Sequence, residues 1–152
     1  MTKTWGERLS YLAGFIDGEA WIGVTKKHKN CEYILSIAVA NTNKDVLKCF
    51  KKYFEGSIVK QHRRKKYKIM YTWKIQARKA EYFLKEIFPY LIVKKEQAKL
   101  GLKLRDLMNS GQILSHGLSK NKDKNKAILE KRDSIYWKIR KLNGGEYSGK
   151  RL

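Results

Sequence analysis

The sequence predicts an α+β fold: a four-stranded antiparallel sheet with helices on one face and an open second face. Three observations predict it. Segments with apolar residues at helical spacing are interspersed with segments of apolar–polar alternation. The alternating segments come in pairs joined by short polar turns, which is the mark of hairpins. Residues 5–54 and 57–91 resemble each other in their order of elements, and alternation leaves one sheet face solvated.

Taken along the chain, Trp5 to Gly18 reads as a first helix, with Leu9, Leu12, Ala13 and Ile16 at helical spacing. Trp21 to Lys27 alternates, Ile22 and Val24 against Trp21, Gly23, Thr25 and Lys27. Tyr33 to Asn41 does the same, Leu35, Ile37 and Val39 against Ser36, Ala38 and Ala40, and His28–Cys31 turns the hairpin. Asn41, Thr42 and Asn43 offer caps for a helix that runs through Val46, Leu47, Phe50, Tyr53 and Phe54 and stops at Gly56. Ser57 to His62 and Tyr67 to Gln76 form a second hairpin, turned by Arg63–Lys66, with Ile69, Tyr71, Trp73 and Ile75 on one face of the latter strand. Ala77 to Phe88 is helical and Pro89, the single proline, ends it. Lys94 to Met108 is a further helix, 111–121 a loop, and Asp123 to Leu142 a last helix with Ile128, Ile135, Ile139 and Leu142 on one side. The expectation is one domain over 1–152, with a core at about 5–109, a helical extension at 123–142 and a loose tail at 144–152.

Charge narrows the partner. The chain has 35 Lys and Arg against 14 Asp and Glu, a net charge of +21 and a sequence pI near 10.0. Such an excess repels itself and is usually matched by a polyanion, for which nucleic acid is favoured over an anionic membrane surface. Hydrophobic residues make up 42%, too many for a disordered basic tail. No run is long enough for a membrane span and no signal segment opens the chain, so an intracellular, non-secreted protein is expected. Cys31 and Cys49 have no metal-ligand spacing and read as reduced structural thiols.

The segment Leu12-Ala13-Gly14-Phe15-Ile16-Asp17-Gly18-Glu19-Ala20 is the most informative. It reads as the end of an apolar helix, with Gly14 and Gly18 leaving a groove where another backbone could approach. Two acids then stand at the helix C-terminus, where the dipole disfavours them. A cation near Glu19 would reverse that penalty, pointing to a metal-dependent enzyme acting on phosphodiesters.

With this segment, the α-β-β-α-β-β-α order, Tyr11 before it, and Pro89-Tyr90-Leu91 leading to Lys94 and Gln97-Ala98, the chain resembles the LAGLIDADG homing endonucleases. The likeness is to the branch with one motif per chain that works as a homodimer. The resemblance implies a saddle-shaped DNA-binding sheet and a site-specific double-strand DNA endonuclease that cuts a long pseudo-palindromic site. The alternatives are an RNA-binding intron maturase, with intron RNA as partner, and a non-cleaving DNA-binding protein of the same fold.

The resemblance also implies site residues. Glu19 and the Gly18 carbonyl would bind magnesium, and Lys94 would stand near the scissile phosphate. Asn43 falls where the family often holds metal-bound water. Tyr11, Gly14, Phe15, Asp17 and Gly18 would form the dimer interface. Two departures stand out: Ala20 replaces the closing glycine of the motif, and Leu47 replaces a basic residue, for which Lys44 and Lys48 are candidate substitutes. Alternation expects Thr25, Lys27, Ser36, Lys60, His62 and Lys74 on the exposed sheet face, with Lys29 and Arg64 in the hairpin loops, as DNA contacts in the major groove.

Overall fold

The computed structural model describes residues 3–27, 32–61, 68–110 and 122–145, the side chains of 122–125 excepted. Helix α1, Trp5–Glu19, opens on a capping box: Thr4 Oγ1 accepts from the Glu7 N–H at 3.3 Å, and Glu7 accepts from the Thr4 N–H at 2.6 Å. Its buried residues are the four that the periodicity picked out, Leu9, Leu12, Ala13 and Ile16. Strands β1, Ala20–Lys27, and β2, Glu32–Asn41, form the first hairpin. Helix α2, Lys44–Phe54, leads to the second, made of β3, Ser57–Gln61, and β4, Met70–Gln76. Helix α3, Ala77–Ile87, ends in a 3-10 turn at Phe88–Tyr90, and α4, Lys95–Ser110, and α5, Lys122–Leu142, follow. No helix among the described residues is long and apolar enough to cross a membrane.

The four strands form one antiparallel sheet in the order β1-β2-β4-β3. Its inner face supplies Ile22, Val24, Leu35, Ile37, Val39, Trp73 and Ile75 to the core, where the helices cover them. An aromatic cluster of Phe50, Phe54, Trp73 and Phe83 joins α2, β4 and α3, with ring centroids 4.6–6.1 Å apart. The Trp73 indole N–H donates to the Glu55 carbonyl at 2.7 Å, so this large buried ring leaves no polar atom unpaired. That carbonyl belongs to a left-handed turn, Glu55 at φ 61° and Gly56 at φ 85°. A Cβ on Gly56 would stand 2.5 Å from Ile75 and 2.7 Å from the Lys74 carbonyl, so both conformation and space require glycine.

Helix α5 closes the β1 edge. Ile135 and Ile139 are buried, Asp133 accepts from Lys26 at 2.6 Å and from the Tyr33 hydroxyl at 2.9 Å, and Asn143 donates to the Ile22 carbonyl at 2.8 Å. Leu142, expected on the packed side, is 48% exposed.

Register corrects two side-chain assignments. Lys60 pairs with Tyr71, and neighbouring Ile58 with Trp73, so Lys60 sits on the helix-covered side rather than the open one. It stays exposed because it lies near the end of an edge strand. Ser36 lies on the open side by parity yet is fully buried, its hydroxyl accepting from the Gln76 amide at 2.9 Å. His62, with Tyr67 and both hairpin turns, lies outside the described residues, as do Lys29, Arg64, Cys31, the 111–121 loop and the 146–152 tail. Cys49, expected to be structural, is an exposed free thiol on α2.

Candidate active site and nucleic-acid interface

Helix α1 ends at Glu19 and β1 begins at the next residue, so the carboxylate stands at the junction of helix and sheet. Ala20 caps the helix with φ −90° and ψ 156°, an extended conformation open to any L-residue. The motif's closing glycine is therefore dispensable here. Glu19 is exposed, and no hydrogen bond or ion pair engages it among the described residues.

The last turn of α1 has no basic residue of its own. The cation arrives from a distant part of the chain: Lys94 Nζ donates to the Asp17 main-chain carbonyl at 2.8 Å. That places a positive charge at the negative end of the helix dipole, on the carbonyl two residues before Glu19, easing the penalty on the acid. The Ile16 carbonyl accepts the Ala20 N–H, which leaves Gly18 with one of the end carbonyls that helix geometry does not satisfy.

Asp17 requires a correction. Expected to bond a partner helix, it uses both carboxylate oxygens inside the chain, accepting from the Ile92 N–H at 2.8 Å and the Lys94 N–H at 2.9 Å. Of the other expected contact residues, Tyr11 is 53% exposed. Gly14 and Gly18 face open space, an added Cβ meeting nothing within 4 Å. Phe15 is half-buried, its ring 5.8 Å from Phe50 and 6.4 Å from Tyr11.

Asn43 caps α2, its amide oxygen accepting from the Asp45 N–H at 2.9 Å. Leu47 is fully buried, where a cation could not remain solvated, so the basic residue missing there follows from packing. Of its candidate substitutes, Lys44 lies over the Tyr71 ring at 5.3 Å and Lys48 pairs with Asp45 at 2.7 Å.

The open sheet face is built from cross-strand rows. Ser57, Lys74, Ala38 and Trp21 form one, Val59, Thr72 and Ala40 a second, and Gln76, Ser36 and Gly23 a third. Thr25 and Lys27 extend it along β1 and are exposed. The Trp21 ring takes the space above Gly23, where a Cβ would come within 2.1 Å of it. Lys27 and Lys74 are the cations of this face among the described strand residues, and Lys27 pairs with Glu32 at 3.3 Å. Trp21, Val59, Gln61 and Gln76 therefore join the surface without having been expected as contacts. Gln61 donates to the Thr72 hydroxyl at 2.8 Å.

Residues 12–100 match the family model described as LAGLIDADG endonuclease, more than half of the chain. The chain belongs to the LAGLIDADG endonuclease family. A search of curated protein sequences found no match. Among solved structures, the homing endonuclease I-CvuI in complex with its target, in the presence of calcium, superposes with a TM-score of 0.70 at 18% identity, over 98% of this chain and 90% of that one. The archaeal intron-encoded homing endonuclease I-Vdi141I, complexed with DNA, gives 0.72 at 18% identity, over 97% and 89%. Against I-GzeII, also bound to a DNA target, the chain covers 46% of that protein with a TM-score of 0.69 at 20% identity. These likenesses establish that the sheet and helices are arranged as in LAGLIDADG proteins.

The donors at the end of α1 are hard oxygens, a carboxylate and a main-chain carbonyl, which suit magnesium or calcium. No group of three or more His, Cys, Asp or Glu side chains that could hold a metal occurs among the described residues. Further ligands for an ion at Glu19 would thus come from water, from a phosphate or from a second copy of the chain.

Proposed function

We propose that this LAGLIDADG protein is a site-specific homing endonuclease that hydrolyses phosphodiesters in double-stranded DNA as a homodimer, with magnesium as its divalent cation. The observation that carries the reading is the end of α1: an exposed Glu19 carboxylate, unpartnered among the described residues, with the Lys94 ammonium bound to the carbonyl two residues before it. A purely binding protein would have no use for an acid at a helix C-terminus within a basic chain. The same feature favours cleavage over a maturase that only holds intron RNA.

In this reading Glu19 and the Gly18 carbonyl hold the cation, which when bound supplies an activated water and Lewis-acid stabilisation of the leaving oxygen. Lys94 keeps two ammonium protons beyond the one given to Asp17, and these reach a phosphate oxygen as its charge grows. One chain supplies one such acid, so breaking both strands calls for two chains related by a two-fold axis. The open stripe of Tyr11, Gly14 and Gly18 on α1 is the surface that would meet its copy, and the target would then be a long pseudo-palindrome. The DNA complexes of I-CvuI and I-Vdi141I support duplex DNA as the partner.

The test is incubation with magnesium and a randomised duplex library, followed by sequencing of cut ends. Glu19→Gln should still bind the recovered duplex in calcium and lose about 100-fold or more in cutting rate. Cutting by that variant at the wild-type rate would remove Glu19 from the chemistry.

A further inference from the structure

The LAGLIDADG reading assigns Glu19 and Lys94 but leaves Asp17 without a part once its carboxylate is found bonded inside the chain. That residue holds Lys94 at both ends. Its carboxylate accepts the Lys94 N–H at 2.9 Å and the Ile92 N–H at 2.8 Å, and its own carbonyl accepts the Lys94 ammonium at 2.8 Å. We propose that Asp17 is the positioning residue of Lys94, fixing where the ammonium stands beside Glu19. The inference rests on the reading of Lys94 as the group that stabilises phosphate charge.

Three features make Asp17 the determinant. Lys94 occupies the cap position of α4, since its carbonyl accepts the Ala98 N–H at 3.0 Å just before the helix starts at Lys95. The N–H of this cap residue is one of the donors that a helix start leaves unpaired, a lysine side chain has no acceptor to fold back onto it, and the Asp17 carboxylate takes it. Next, Ile92 and Val93 are 84% and 70% exposed, so apolar packing does not anchor the two residues ahead of Lys94. Finally, the carboxylate grips main-chain N–H groups and forms no ion pair with the ammonium among the described residues. Lys94 is thereby located without being neutralised, and its full charge remains for a phosphate.

The experiment is a double-mutant cycle on the duplex recovered by cleavage, read by single-turnover rate in magnesium, by affinity in calcium and by amide exchange. Asp17→Asn keeps one acceptor oxygen and presents a donor to the second N–H. Misplacing a catalytic group by about 1 Å costs about 100-fold, so Asp17→Asn should slow cutting by about 10- to 100-fold with affinity unchanged. In a Lys94→Met background the same substitution should have little further effect, because the group it positions is gone. Equal slowing in both backgrounds would mean a general structural role and would overturn the proposal. Exchange at Ile92 and Lys94 should rise in Asp17→Asn while Leu12 and Ala13 in α1 stay protected; unchanged exchange at Ile92 and Lys94 also overturns it. Asp17→Glu, one methylene longer with the charge kept, repeats the cycle if the Asn variant does not fold. Wild-type cutting by Lys94→Met would refute Lys94 as its target. An unaltered chain that cuts no duplex would sink the endonuclease reading instead, and exchange alone would then decide whether Asp17 holds this segment.

Discussion

A Cβ added at Gly14 or Gly18 would meet nothing within 4 Å beyond its own stretch of helix among the described residues, although both lie in α1. Glycine in a helix interior costs about 1 kcal/mol relative to alanine, so neither residue is explained by the stability of a single chain. Close approach of a second helix would explain both. Gly14→Ala should therefore raise the melting temperature of dilute monomer, while Gly14→Leu should shift sedimentation from dimer to monomer and abolish double-strand cutting with the circular dichroism unchanged. A Gly14→Leu chain that still sediments as a dimer would exclude this face of α1 as the contact. At this scale the candidate site was partly legible. Glu19 stood out because an acid at a helix C-terminus opposes the dipole. The bonds between Asp17 and Lys94 were not legible, since they span 77 residues and depend on how the 3-10 turn brings α4 back to α1. Asp17 looked like a contact for another chain because its sequence neighbours carry that pattern.

Docking of α5 on the sheet depends on one ionic cluster and should respond to pH from both sides. Burial pushes the Asp133 carboxyl up, but the hydrogen bonds from Lys26 and Tyr33 outweigh it and hold the group below its ordinary value of 3.8. The hydrogen bond to Asp133 holds Lys26 above its usual 10.5, and burial, with Asp133 second, pushes Tyr33 up to about 12. A depressed acid contributes stability that is present above its unfolded value and lost as pH falls through the folded one; the raised groups contribute below their unfolded values and lose it as pH rises through the folded ones. Helix α5 should therefore dock best between about pH 4 and pH 10. Asp133→Asn should flatten the acid limb of the melting curve, read at Trp137 on α5 by fluorescence. An unaltered acid limb would show that other carboxylates govern it. Element boundaries were largely legible, because Asn43 and Pro89 punctuate the chain and the periodicities on either side of them are strong, whereas the Thr4–Glu7 capping box that opens α1 went unread. Strand β3 was legible as a strand but not in its facing. Ile58 and Val59 are adjacent apolar residues among polar ones, so alternation alone gives no parity, and the pairing with β4 decides it.

For the molecule as a whole, charge is unevenly distributed over the surface proposed to read DNA. The chain carries +21, yet the central rows of the open face hold Trp21, Ala38, Ala40, Val59 and Thr72, with Lys27 and Lys74 as its strand cations among the described residues. Such a division separates two kinds of contact. Phosphate contacts set affinity and its salt dependence, while base-edge and methyl contacts set preference. Lys74→Ala should weaken binding to target and unrelated duplexes alike, and should reduce the slope of log affinity against log salt by about one. Gln61→Ala should leave that slope unchanged and relax the preference at one position in each half-site, because Gln61 lies on the open face and offers an amide to a base edge. Affinities in calcium at several salt concentrations, on the recovered target and on its single-position variants, distinguish the two. A Gln61→Ala protein that loses slope and keeps preference would assign β3 to the phosphate backbone, and would move base reading towards the β1–β2 side of the sheet.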